Sequence, residues 1–220
     1  MTSSRGISLS RIHYPISSLG PGRRIGIWFQ GCSLYCPGCI SADTWKHQPP
    51  TDTVDSLIAG LDLWVTECDG VTISGGEPLE QIDACLELLR QLRQKGVSDI
   101  LLFTGKTWDI AEPLLQPAID CVDAVISGPY IQDAPQTLPL RGSDNQKLHL
   151  LSPVGHTRYN NYNTPTDNWE RHIDVHVSPD GTVWMAGIPG RNDIEKLIRI
   201  LNVDGTTASS VQSRGGDVND

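Results

Sequence analysis

The chain is 220 residues long, 38% of them hydrophobic, and carries a formal net charge of −9. This size and apolar content suit one globular domain with a sizeable core, and the acidity argues against a broad basic surface for nucleic acid. The amino terminus is polar, and no apolar run approaches the ~20 residues that span a bilayer. We therefore expect a cytoplasmic protein with no nucleic-acid or membrane partner.

Hydrophobic periodicity predicts strands and helices in alternation along most of the chain. The predicted strands cover residues 24–29, 69–73, 99–103, 121–126 and 147–151. The predicted helices cover residues 53–68, 80–95 and 107–116, the last broken at Pro113. This alternation implies right-handed crossovers and a parallel sheet, as a full or partial β/α barrel or as an open doubly wound sheet.

The segment after the last predicted strand is more polar. Residues 152–170 have the composition of a polar loop, and residues 172–186 alternate around Pro179–Asp180–Gly181, as in a β-hairpin. A short amphipathic helix is predicted next, with Ile194, Leu197, Ile198 and Leu201 on its apolar face. We expect one domain over residues 1–203 and a disordered tail over 204–220, which has almost nothing to bury.

The unusual segments of this sequence follow the predicted strands. A cysteine-rich loop (31–40) follows the first strand, "SGGEP" (74–78) the second, "TGK" (104–106) the third and "SGPY" (127–130) the fourth. Ligands of parallel α/β folds bind at the carboxyl ends of the strands. The topology therefore predicts one site to which all four segments contribute.

The loop "GCSLYCPGCI" sets Cys32, Cys36 and Cys39 at a C-x3-C-x2-C spacing. In a cytoplasmic protein such a cluster favours metal or redox chemistry over a disulfide. The remaining thiols, Cys68, Cys85 and Cys121, lie among apolar neighbours and are predicted to pack in the core.

Three chemistries fit three clustered thiols. Structural zinc needs a fourth ligand, for which His47 is the nearby candidate. A redox pair would use Cys36 and Cys39 and leave Cys32 idle. A [4Fe–4S] cluster held by three thiolates leaves one iron open, as a Lewis-acid or cofactor-binding site requires.

Together with Gly75–Gly76–Glu77–Pro78, the cysteine triplet resembles the radical S-adenosylmethionine (SAM) superfamily. The resemblance implies that the three thiolates hold a [4Fe–4S] cluster, that the methionyl group of SAM chelates the open iron, and that the GGEP segment contacts the methionyl amino group. Glycines without a Cβ allow a close backbone approach, Glu77 supplies negative charge near an ammonium, and Pro78 stiffens the turn. The predicted cofactor-binding residues are Ser74, Gly75, Gly76, Glu77, Pro78, Thr104, Gly105, Ser127 and Arg141.

A longer segment narrows the resemblance to one branch of the radical SAM superfamily. Residues 18–45, "SLGPGRRIGIWFQGCSLYCPGCISADTW", are similar to the small activating enzymes of the anaerobic ribonucleotide reductase type. "DAVISGPY" (123–130) and "RGSDNQ" (141–146) resemble two further patterns of that branch. Ser127 stands where the branch usually has an acidic residue, and "SADTW" replaces a more usual Asn-Pro before the Thr-Trp.

The resemblance implies a partial, open β/α barrel with parallel strands and a carboxyl-terminal hairpin. It also implies an oxidoreductase in which the reduced cluster cleaves SAM to a 5′-deoxyadenosyl radical, which abstracts hydrogen from a glycine of a partner enzyme. A flavodoxin or ferredoxin would donate the electron, and no catalytic side chain of this chain is assigned.

Two other functions remain open at this point. The same cofactor chemistry could act on a small molecule, as in deazaguanine-forming synthases, or on a ribosomal peptide. A non-enzymatic iron–sulfur or zinc binding module is the third candidate. Cleavage of SAM after reduction distinguishes the enzymes from the binding module.

Overall fold

A computed structural model of the chain describes residues 4–165, 172–177, 183–190 and 193–203. Its strands are β1 (Gly6–Ile7), β2 (Leu9–Ile16), β3 (Arg24–Phe29), β4 (Asp52–Thr53), β5 (Gly70–Gly75), β6 (Ile100–Thr104), β7 (Ala124–Ser127), β8 (Lys147–Leu150), β9 (Ile173–Val177) and β10 (Val183–Gly187). Its α-helices are α1 (Val54–Gly60), α2 (Asp62–Glu67), α3 (Ile82–Gln94), α4 (Trp108–Leu115), α5 (Pro153–Tyr159) and α6 (Asp193–Val203). Short 3-10 helices in the described part cover Ala42–Thr44, Pro78–Gln81, Gln116–Cys121 and Asn160–Asn163.

The main sheet has the strand order β2-β3-β5-β6-β7-β8. Its four central strands, β3, β5, β6 and β7, run parallel, as the alternation of strands and helices predicts. The fold is thus a mixed α/β fold with a mostly parallel central sheet. No described helix is long and apolar enough to cross a membrane.

Both outer strands of the sheet run antiparallel to their neighbours, which corrects the expectation of parallel strands throughout. Strand β2, which the sequence does not predict, pairs with β3, and β8 pairs with β7. The connection over 128–146 contains no helix, so the chain returns beside β7 without the helical crossover that a parallel strand requires.

The predicted helices are present, with two corrections. The helix expected over 53–68 is divided at Leu61 into α1 and α2. The segment expected to be a polar loop begins with α5, because Pro153 occupies its first turn and the Ser152 hydroxyl accepts a hydrogen bond from the Gly155 amide (3.1 Å). The predicted tail over 204–220 lies outside the described residues.

The sheet has two faces, and different elements cover them. Helices α1, α3 and α4 pack on the face that carries Ile27, Ile73 and Leu102, and we call this the helix face. The opposite face, which we call the hairpin face, carries Trp28 and Phe103 and packs against α5 and the β9–β10 hairpin. Of the cysteines predicted to be core residues, Cys85 is fully buried in the helix-face core, and Cys68 and Cys121 pack against it half-buried.

The carboxyl-terminal hairpin is confirmed, with β9 and β10 antiparallel and Trp184 opposite His176. Its docking combines a carboxylate with aromatic stacking. Asp174 accepts hydrogen bonds from the backbone amides of Ser17 and Ser18 at 2.8 and 2.9 Å. The Trp184 ring stacks on His13, with ring centroids 3.2 Å apart and planes 5° apart.

A buried ion pair holds the amino ends of the central strands together. Arg24 at the start of β3 donates to Asp99 (2.6 Å), to the Thr72 hydroxyl (2.6 Å) and to the Val71 carbonyl (2.7 Å). Asp99 also accepts from the Tyr159 hydroxyl of α5 at 3.0 Å, and neither Arg24 nor Asp99 is exposed to solvent. This network lies at the end of the sheet opposite the predicted site.

Candidate functional site

The cysteine loop is closed at its base by two backbone hydrogen bonds. The Gly31 amide donates to the Thr44 carbonyl (2.7 Å), and the Cys32 amide donates to the Trp45 carbonyl (3.0 Å). Gly31 has a φ of +101°, a conformation that side chains other than glycine rarely adopt. The loop therefore leaves β3 and returns to the same point, so the three thiols are confined to one short ring of chain.

Burial is the main influence on two of these thiols. It raises the pKa of Cys32 to about 11, although the backbone amides of Leu34 and Tyr35 face the sulfur and act in the opposite direction. Burial also raises the pKa of Cys39, against the Ser41 amide and the Trp45 indole. Backbone and indole N–H groups directed at sulfur are the donors that stabilise metal-bound thiolates.

A single zinc ion and a [4Fe–4S] cluster require different arrangements of the loop thiols. Among the described residues, no group of three or more His, Cys, Asp or Glu side chains is arranged to hold one metal ion. A single zinc ion needs its sulfur ligands at about 2.3 Å from one point, whereas a [4Fe–4S] cluster takes its thiolates on separate irons. His47, the candidate fourth zinc ligand, is bonded instead to Glu80 (2.9 Å).

The GGEP segment is joined to the cysteine loop by its backbone. The Gly76 amide donates to the Phe29 carbonyl and the Glu77 amide to the Gly31 carbonyl, both at 2.8 Å. A Cβ on Gly75 would lie 2.3 Å from the Phe29 nitrogen, and one on Gly76 would lie 2.1 Å from the Gly31 oxygen. The two glycines are therefore required by the approach of β3 and its loop, in addition to any approach of a ligand.

Glu77 joins the end of β5 to the end of β6. Its carboxylate accepts from the Thr104 hydroxyl (2.8 Å), the Gly105 amide (2.8 Å) and the Leu79 amide (3.0 Å), and the residue is fully buried. Burial raises the pKa of Glu77, and these hydrogen bonds act against that shift. Pro78 follows at the start of a 3-10 helix that Glu77 caps, so the predicted binding residues Thr104 and Gly105 are held by Glu77.

Two further contacts bring the remaining segments to the cysteine loop. The Leu34 side chain lies 2.3 Å from where a Cβ on Gly105 would be, and the Gln132 side chain lies 2.9 Å from the corresponding point on Gly38. The Gly128 amide donates to the Lys106 carbonyl (2.8 Å). The TGK segment therefore lies against the cysteine loop, and the SGPY segment lies against TGK.

Ser127 lies at the end of β7, opposite Thr104 in the register of β6 and β7. Its hydroxyl is 2.9 Å from Nε2 of His149 on β8, and the His149 ring stacks on Trp108 with centroids 4.0 Å apart. Ser127 and Val125 share one face of their strand, because side chains alternate, and Val125 belongs to the helix-face core. A contact of Ser127 with a cofactor remains a prediction.

Arg141 is buried within the loop between β7 and β8. It donates to the Tyr162 carbonyl (2.6 Å) and to the Asn163 side chain (2.5 Å), and its Nε is buried without a hydrogen-bond partner. The same loop is ordered by Gln146, which bonds to the Gly128 carbonyl and the Gly142 amide. Arg141 is therefore buried and not solvated, and its contact with a cofactor remains a prediction.

Sequence comparison places this site in a known family. Residues 18–149 match the model of the 4Fe-4S single cluster domain, and the chain belongs to that family. It is 31% identical to the anaerobic ribonucleoside-triphosphate reductase-activating protein of Escherichia coli K12 over 148 residues, 63% of this chain and 96% of that protein. The Vibrio cholerae protein of the same name is 32% identical over 149 residues, 64% of this chain and 96% of that protein.

A second group of relatives matches over a shorter segment. The pyruvate formate-lyase-activating enzyme of Listeria monocytogenes is 39% identical over 83 residues, 36% of this chain and 34% of that protein. The solved structure of QueE from Escherichia coli has a TM-score of 0.38 and 19% identity, and covers 46% of this chain and 54% of that one. On the sequence matches, the chain is a radical SAM enzyme of the activating type, with a [4Fe–4S] cluster and SAM as its cofactors.

Several residues that build the site were not predicted as site residues. Glu80 bonds to Ser33 and His47, Leu34 packs on Gly105, and Gln132 packs on Gly38. Partial burial by itself would raise the pKa of Glu80, but the hydrogen bonds from Ser33 and His47 outweigh it and keep the pKa below its ordinary value. These residues carry no local sequence signal, because each acts through a contact distant along the chain.

Proposed function

We propose that the chain activates a glycyl-radical enzyme by removing a hydrogen atom from a glycine Cα of that partner. The observation that carries the proposal is the shared backbone junction of the cysteine loop and the GGEP segment, in a chain that matches 96% of a reductase-activating protein. When bound, the cluster and SAM supply a one-electron reductive cleavage of the SAM sulfonium bond. Hydrogen-atom transfer then leaves a glycyl radical on the partner, with 5′-deoxyadenosine and methionine as products.

The proposed cluster ligands are Cys32, Cys36 and Cys39. The chain contributes position and environment: the loop is closed at its base, amides and an indole N–H face two of the sulfurs, and Cys32 is 8% exposed. Burial and N–H donors around a cluster are the means by which proteins tune its potential.

The proposed SAM site is formed by Ser74–Pro78 with Thr104 and Gly105 beside it. Glu77 supports this proposal, because its bonds to Thr104 and Gly105 fix the ends of β5 and β6 relative to each other. We also propose that the central strands form part of an open β/α barrel, whose carboxyl ends surround the reaction.

A direct test of the proposal uses the reductase of the same organism as the partner. After anaerobic reconstitution and one-electron reduction, electron paramagnetic resonance should show a glycyl radical on the partner, together with 5′-deoxyadenosine. Formation of 5′-deoxyadenosine without a glycyl radical would contradict the partner assignment and favour a small-molecule or peptide substrate.

The ligand assignment has its own test. Cys36→Ser should lose the cluster, seen as loss of bound iron and of the visible absorption of the reconstituted protein, because serine is a poor ligand for cluster iron. Cys121→Ser is the matched control, since Cys121 packs half-buried against the helix-face core and should keep the iron content of the unsubstituted protein. Equal iron content in the two variants would refute the assignment.

A further inference from the structure

The carboxylate of Glu80 contacts the cysteine loop at Ser33, directly beside the proposed ligand Cys32. The Ser33 amide donates to both carboxylate oxygens of Glu80, Oε1 at 3.1 Å and Oε2 at 3.2 Å. The Ser33 hydroxyl donates to the same carboxylate. The carboxylate also lies 2.9 Å from Nε2 of His47, which follows the loop. The Glu80 carboxylate therefore connects the 3-10 helix that begins at Pro78 with Ser33 inside the cysteine loop and with His47 after it.

The bond to the Ser33 amide has a consequence for Cys32, the residue before it. The peptide that joins Cys32 to Ser33 is held with its N–H toward Glu80. The amides left to face the Cys32 sulfur are those of Leu34 and Tyr35. Glu80 therefore selects which N–H groups face that sulfur, although it does not itself contact the thiol.

The charge of Glu80 acts in the same direction as its hydrogen bond. A negative charge near an iron–sulfur cluster disfavours the added electron, and each N–H donor withheld from a sulfur does the same, so both lower the reduction potential. A low potential is what a one-electron donor to a sulfonium requires.

We propose that Glu80 is a positioning residue for the cluster, which orients the Cys32–Ser33 peptide and keeps the reduction potential low. The inference rests on the cluster ligation proposed above. It assigns Glu80 a role distinct from that of Glu77, whose carboxylate accepts from Thr104 and Gly105 at the end of β6 and from the Leu79 amide.

The test is a redox titration of the reconstituted full-length protein without SAM, followed by electron paramagnetic resonance of the reduced cluster. Glu80→Gln removes the charge but keeps an oxygen that can accept from the Ser33 amide. Glu80→Ala removes both the charge and the acceptor. We expect the midpoint potential to become more positive in Glu80→Gln and more positive still in Glu80→Ala, with altered g-values in the alanine variant.

Glu87→Gln is the matched control. Glu87 also accepts from a backbone amide and a serine hydroxyl, those of Arg5 (3.2 Å) and Ser4 (3.3 Å), but on the amino-terminal segment. The midpoint potential and the electron paramagnetic resonance spectrum of Glu87→Gln should equal those of the unsubstituted protein.

The outcomes separate this proposal from the ligand assignment. The comparison requires that the unsubstituted protein and Glu87→Gln both hold a cluster. If Glu80→Gln then has the same midpoint potential and spectrum as these two proteins, the role of Glu80 is refuted. If Glu80→Ala cannot be loaded, the comparison of Glu80→Gln with Glu87→Gln still decides the question. If the unsubstituted protein itself holds no cluster, the proposed ligation fails.

Discussion

Gly76 and Glu77 are adjacent in sequence and join the cysteine loop to the sheet by different physical means. Gly76 does so by having no side chain, which allows the Gly31 carbonyl to approach its Cα closely. Glu77 does so by accepting three hydrogen bonds while fully buried. Neither role requires a ligand to be bound, so both can be tested on the protein without its cofactors.

We expect Gly76→Ala to destabilise the protein by about 3 kcal/mol or more, because the added Cβ overlaps backbone that cannot move aside cheaply. Urea unfolding of the cluster-free protein measures this free energy. Gly60→Ala in α1 is the control, since a Cβ there meets nothing within 4 Å; it should stabilise by about 0.5–1 kcal/mol. Equal unfolding free energies for the two variants would contradict the close approach.

At the scale of elements, the β9–β10 hairpin covers the sheet next to the site. Ala186 and Trp184 pack with Trp28, which is opposite Ser74 in the register of β3 and β5. Ile188 packs against the same buried residues as Phe103, the residue before Thr104. The hairpin lies outside residues 18–149, the part matched by the family model, and so contacts the site from a part of the chain that the model does not cover.

The docking of this hairpin should weaken in mild acid because of His13. Burial, then the charges of Arg11 and His176, lower its pKa from 6.5 to about 4, and its Nε2 is buried without a partner. The undocked state then binds more protons between pH ~6.5 and ~4, so docking loses stability as the pH falls through that window. Hydrogen exchange of the hairpin amides should show this loss.

His13→Phe keeps a ring to stack on Trp184 and cannot titrate, so the protection of the hairpin should become independent of pH across the same window. Asp174 does not interfere, because its pKa is lowered below 3.8: burial would raise it, but the bonds from Ser18 and Ser17 outweigh burial. The same acid sensitivity in His13→Phe would show that another group is responsible.

Sequence patterns predicted the strands that are nearly continuous apolar runs, and they failed where polar residues interrupt the run. Strands β3, β5 and β6 are runs of buried apolar residues and were predicted near their observed bounds. Strand β2 contains Arg11, His13 and Pro15 and is half-buried over most of its length, so its pattern resembles a polar segment. The direction of β8 could have been predicted, because no helical pattern separates it from β7.

At the scale of the molecule, the two ends of the central strands have different roles: one end forms the candidate site, and the other is stabilised by a buried ion pair. The carboxyl ends meet at the cysteine loop, and the amino ends are held by the buried Arg24–Asp99 pair. The sequence predicted the first from topology and motif spacing. It could not predict the second, because Arg24 and Asp99 are distant in sequence and a single charged residue at a strand end carries no pattern.

Replacing Arg24 should destabilise the whole molecule. In Arg24→Met, Asp99 loses its fully buried partner and keeps the ion pair with the half-buried Arg158 (3.3 Å), so we expect a cost of about 3 kcal/mol of unfolding free energy. Lys95→Met is the control, because Lys95 forms an exposed pair with Asp62 (2.5 Å), and such pairs contribute about 0–1 kcal/mol. Urea unfolding compares the two, and a cost below about 1 kcal/mol for Arg24→Met would contradict the structural role.

At the candidate site, too, the sequence predicted which segments lie together but not the hydrogen bonds that hold them. Motif spacing predicted that Cys32, the GGEP segment and Thr104–Gly105 lie together, since strand ends meet in a parallel sheet. The bonds that hold them there, from Glu77 and from Glu80, come from side chains whose partners are 27 and 47 residues away. Such partners follow only from the folded arrangement.

The approach of Gly76 to Gly31 also bears on how this family evolves. A chain that had lost its cluster and its cofactor would still need glycine at position 76, because the neighbouring backbone fills the space of a side chain. Selection for folding alone would therefore preserve part of the GGEP signature. Degenerate descendants of such enzymes should keep this glycine after their cysteines have drifted, and so remain recognisable when their chemistry is gone.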